Sequence, residues 1–100
     1  LAVELKVADG RIVDYAQNIK ACALGQASAS VMAQAIIGKD ADEIARVRAI
    51  VEKMLKEGGA PPEGDWAGLS ALVPAKDAPS RHGAILLPFD AVLKALKDAG

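Results

Sequence analysis

Two residues carry most of the chemistry this chain can offer: its one cysteine, Cys22, and its one histidine, His82. A thiolate binds soft metals or attacks sulfur, and an imidazole binds a metal or accepts a proton. Together they suit a metal site or a nucleophile–base pair. Cys22 stands where the hydrophobic pattern changes period. Apolar residues alternate before it, as in strands, and recur every three or four positions after it, as in helices. The cysteine is therefore expected close to a helix N-terminus. Unpaired N–H groups and the positive end of the helix dipole collect there, and both favour a thiolate. The plainer roles are a small buried apolar residue for Cys22 and a surface group or helix-terminus hydrogen bond for His82. No third group to orient the imidazole is evident and no acyl-transfer motif accompanies the pair, so an enzyme is not expected.

Composition narrows the classes. One hundred residues suit one small domain over 1–100. The hydrophobic fraction is 52%, mostly Ala, Val, Leu and Ile, and only Tyr15, Trp66 and Phe89 are aromatic. That is too little aromatic surface to stack single-stranded nucleic acid. A net charge of −1 with mixed signs argues against a nucleic-acid or acidic-membrane partner. One cysteine rules out an internal disulfide framework and fits a reducing compartment, so a cytoplasmic location is expected. No apolar run approaches the ~20 residues that span a bilayer. The chain opens at Leu1 already in a strand pattern and without a methionine, so an upstream segment is expected.

The elements that must position these residues follow from pattern. Leu1, Val3, Leu5 and Val7 alternate with Ala2, Glu4, Lys6 and Ala8, a half-buried strand. Asp9-Gly10 signals a hairpin, and a second strand runs from about Arg11 to Lys20 with Val13, Tyr15 and Ile19 inward. A two-residue loop would pair Leu5 with Asp14. A three-residue loop, pairing Leu5 with Val13 and Val3 with Tyr15, is the expected register. Two strands alone are marginal, so a third is expected, upstream or from a partner. Helices are expected from about Ala23 to Ile37, from Asp40 to Gly58, from Trp66 to Val73 and from about Gly83 to Lys97. Asp40 and Glu43 form a capping box, Pro74 stops the third helix, and Pro88 sets where the last begins or kinks it. Trp66 is expected as an anchor over the core. The fold class is α+β.

The run Cys22-Ala23-Leu24-Gly25-Gln26-Ala27-Ser28-Ala29-Ser30 resembles the signature around the second cluster-ligand cysteine of the U-type iron–sulfur cluster assembly scaffolds: SufU, IscU and the N-terminal domain of NifU. The likeness is closest to SufU. The Asp-Gly hairpin before it, the Gly38-Lys39 stop after it and a last helix introduced by Arg81-His82 agree with the same order of elements. The resemblance implies an antiparallel hairpin, part of a three-stranded sheet, with four helices on one face. It implies a scaffold that binds metal or a transient iron–sulfur cluster, or zinc or iron, takes sulfur from a cysteine desulfurase and passes clusters to apo-acceptor proteins. Cys22 would be a metal and cluster ligand.

Only Cys22 matches the family's ligand set. The first cysteine and its aspartate would precede Leu1. The third cysteine would stand at or beside Ala84, where the run is His82-Gly83-Ala84-Ile85. His82, two residues away, is carried as a second metal ligand. One thiolate and one imidazole do not hold a cluster, because zinc sites take four ligands and cluster sites take cysteines on nearly every iron. Three arrangements remain: an upstream cysteine joining Cys22 and His82, two copies pooling Cys22 in a homo-oligomer, or a degenerate scaffold homologue acting as a protein-binding module without metal, docking through Trp66 or the last helix.

Overall fold

The computed structural model describes residues 2–18, 20 and 22–99. Strands β1 (Ala2–Ala8) and β2 (Arg11–Asn18) form an antiparallel hairpin, followed by helices α1 (Ala23–Ala35) and α2 (Ala41–Glu57). A 3-10 helix (Gly64–Asp77), one further 3-10 turn (Pro79–Arg81) and helix α3 (His82–Ala99) complete the order. The architecture is α+β, with a two-stranded sheet among the described residues.

The hairpin resolves its register in a way the pattern did not suggest. Asp9 and Gly10 both take positive φ, 53° and 76°, as a two-residue type I′ turn requires. Ala8 therefore faces Arg11 and Val7 faces Ile12. Left regular, that register would bring Leu5 opposite Asp14. The ladder instead shifts between Lys6 and Val7: Lys6 pairs with Asp14, Leu5 with Tyr15 and Val3 with Gln17. Val13 is the extra residue of a bulge. It is 53% exposed, while Ile12 is fully buried. The bulge changes parity, so that Ile12 and Tyr15, three apart, both face inward. The expected three-residue loop and the Leu5–Val13 pair are thus replaced by a tight loop plus a bulge. Ile19, the third expected inward residue, lies outside the described residues.

Ile12 also ties the hairpin to the α1–α2 connection. Its N–H donates to the Lys39 carbonyl at 2.9 Å, and its carbonyl accepts from Gly38 N–H at 2.7 Å. The Arg11 guanidinium adds a bond to the Gly38 carbonyl at 2.9 Å. Helix α1 ends two residues short of the expected boundary, and Gly38 makes the turn with φ 86°.

Asp40 caps α2 by accepting from Glu43 N–H at 2.9 Å. The reciprocal half of the capping box is not made. The Glu43 carboxylate instead accepts from Trp66 Nε1–H at 3.0 Å. That bond and a Phe89 ring 6.0 Å away hold Trp66 in the core, 1% exposed, as its anchor role requires.

The third helix differs in kind. Trp66, Leu69, Leu72 and Ala75 are all buried, at a spacing of three. A 3-10 helix has three residues per turn, so this stripe stays on one face without drifting. Pro74 lies inside the helix and does not stop it. Helix α3 starts at His82 and carries Pro88, buried, in its seventh position. Its apolar face packs on α1, α2 and β1, and the 3-10 helix lies across α1 and α2.

Candidate functional site

Cys22 is the N-cap of α1, with φ −65° and ψ 168°, and its carbonyl takes the first helical bond, from Gln26 N–H at 2.9 Å. Its side chain is half-buried. The thiol is held below its ordinary range. The Gly25 N–H is the strongest cause, partial burial opposes it, and the Arg81 guanidinium and the Leu24 N–H add to the lowering. The helix mouth thus favours thiolate through aimed N–H groups, as the pattern around Cys22 predicted.

Arg81 comes from the last position before α3, so the starts of α1 and α3 converge on the sulfur. Small residues permit this approach. Gly25, Ser28 and Ala29 are buried on α1, and Ser28 Oγ donates to the Ile85 carbonyl at 2.7 Å. From the other side, Gln17 Nε2 donates to the Ala29 carbonyl at 3.2 Å and ties β2 to the same helix. The alternation of Cys22, Ala, Gly and Ser signals such a close approach. Arg81 carried no signal of its own beyond being a cation before a helix.

His82 is placed elsewhere. Its ring is 7% exposed, and Nε2 donates to the Ala75 carbonyl at 2.9 Å, linking α3 to the end of the 3-10 helix. The ring borders an open groove of about 520 Å³ with Arg48, Glu52, Lys56, Lys76 and Asp90, and Cys22 does not line it. In that groove Arg48 is already paired with Asp90 at 2.6 Å and Glu52 at 3.1 Å. The hydrogen bonding of His82 is the helix-terminus role. The groups that lower the thiol are the Gly25 and Leu24 N–H groups and the Arg81 guanidinium, and His82 is not among them. Ala84, at the start of α3, brings no donor side chain. Among the described residues no group of three His, Cys, Asp or Glu side chains stands close enough to hold a metal ion, and no helix is long and apolar enough to cross a membrane.

Residues 1–78 match the model of the NifU-like N-terminal domain. The chain belongs to this family. Within the NifU-like likeness, the iron–sulfur cluster assembly scaffold protein IscU of Thermotoga maritima is 32% identical over 97 residues, a match covering 97% of this chain and 68% of that protein. The crystal structure of a nitrogen-fixing NifU-like protein (N-terminal) from Brucella abortus superposes with a TM-score of 0.91 at 46% identity, over 97% of this chain and 67% of that one. A crystal structure of a hypothetical protein gives a TM-score of 0.84 at 25% identity, over 95% of this chain and 70% of that one. The hairpin and four helices are those of the NifU-like fold, and the chain spans about two thirds of the length of these relatives.

Proposed function

We propose that this chain is an iron–sulfur cluster assembly scaffold-like protein in which Cys22 supplies a thiolate to iron or to a transient cluster. The observation that carries the reading is the placement of that sulfur. It sits half-buried at the mouth of α1, with N–H groups and Arg81 favouring its anionic form, in a chain of the NifU-like family. The cluster is cargo, formed and handed on, so the protein is a carrier and not an enzyme. Its partners by family are a cysteine desulfurase as sulfur source and apo-proteins as acceptors, in a reducing, cytoplasmic setting.

The residues present do not by themselves fit a cluster. One thiolate is supplied where cluster iron takes nearly all its protein ligands as cysteine sulfur. The remaining donors must come from beyond these hundred residues. A third strand fits the open edge of β1, which pairs only with β2 among the described residues.

The test is cluster formation from ferrous iron, sulfide and reduced protein without oxygen, read by visible absorption, with Cys22→Ser in parallel. The wild-type chain should develop sulfide-to-iron absorption that Cys22→Ser lacks. No absorption in either would overturn the reading.

A further inference from the structure

We infer that one copy of this chain holds neither a zinc ion nor an iron–sulfur cluster by itself. The inference rests on the scaffold reading only in taking Cys22 as the ligand under test. Its grounds are the donor set. The sequence contains one thiol and one imidazole, and the fold separates them in use. His82 donates Nε2–H to the Ala75 carbonyl, and its ring borders the α2 groove, which Cys22 does not line. Around the sulfur, the side chain that the fold delivers is the guanidinium of Arg81, a permanent cation with no lone pair to offer a metal. It satisfies the thiolate electrostatically and repels a divalent ion at the same point. Among the described residues no carboxylate is grouped with Cys22 into a three-donor set. A site that zinc closes with four ligands is here one ligand and one opposing charge.

The family reading and this inference meet in one consequence. Metal retained through Cys22 draws its other ligands from outside these hundred residues.

Native mass spectrometry of the reduced chain separates the cases. The chain is desalted after incubation with zinc alone, and separately with ferrous iron and sulfide, alongside Cys22→Ser. The inference expects no one-to-one complex in either incubation. A Cys22-dependent species of two chains around one metal or cluster supports both the inference and the scaffold reading. Complete absence of bound metal supports the inference and counts against the scaffold reading. A one-to-one zinc or cluster complex that survives desalting and is lost in Cys22→Ser overturns the inference while leaving the scaffold reading standing.

Discussion

The hydroxyl of Ser28 lies 2.7 Å from the carbonyl oxygen of Ile85 and donates to it across the α1–α3 interface. Ser28 is fully buried, so the pair is out of competition with water. It fixes the spacing of two helices whose first residues meet at the sulfur of Cys22. Ser28→Ala removes the donor and should lower unfolding free energy by about 1 kcal/mol, the usual net loss for one intramolecular hydrogen bond. Urea unfolding of the two proteins checks this, and equal midpoints would show that the bond is idle.

Arg81→Ala should raise the pH at which Cys22 becomes reactive. The guanidinium favours the thiolate, so its loss moves the thiol toward its ordinary value. The Gly25 N–H, the stronger cause, remains, so the midpoint should still fall below that of a free cysteine. Rates of alkylation against pH give both midpoints. High salt should narrow the difference between them, because an exposed charge is screened. In the wild type, the thiolate's contribution to stability is present above the unfolded thiol's value and is lost as pH falls through the lower, folded one.

Tyr15 responds to alkali in the opposite sense. Burial pushes its phenol up to about 12 from 10.0, and its hydroxyl donates to Gln17 Oε1 at 2.9 Å. A raised folded value means that stability is intact below pH 10 and is lost as pH rises toward 12. Tyr15→Phe should remove that part of the decline. Stability measured at several pH values in both proteins decides it, and parallel curves between pH 10 and 12 would refute the assignment.

Deleting Val13 should leave the hairpin paired as it is. The remaining residues would run in regular alternation, with Ile12 opposite Val7, Asp14 opposite Lys6 and Tyr15 opposite Leu5. Stability should change by less than about 1 kcal/mol, since the deleted side chain is largely exposed. Proton contacts between Leu5 and Tyr15 by NMR are the readout. Their replacement by Leu5–Asp14 contacts would mean that the bulge, and not the inward-facing apolar set, holds the register.

Local pattern alone determined the elements of this protein and the place of its sulfur. Alternation gave the strands, the three-to-four spacing after Cys22 gave α1, and Asp40 gave the start of α2, because these signals depend on near neighbours in the chain. The stripe Trp66, Leu69, Leu72, Ala75 also held the period of a 3-10 helix, although Pro74 obscured it as a stop. Tertiary structure decided what local pattern cannot contain. Asp14 could be kept off the inward face by a longer loop or by a bulge, and the contact of Ile12 with Gly38 and Lys39 lies across the fold. Likewise nothing local to His82 announces its bond to the Ala75 carbonyl, and Arg81 acquired its place beside the sulfur only when Ser28 and Ile85 brought two helix starts together. Charges and hydrogen-bond partners distant in sequence act only after packing has set the distance between them.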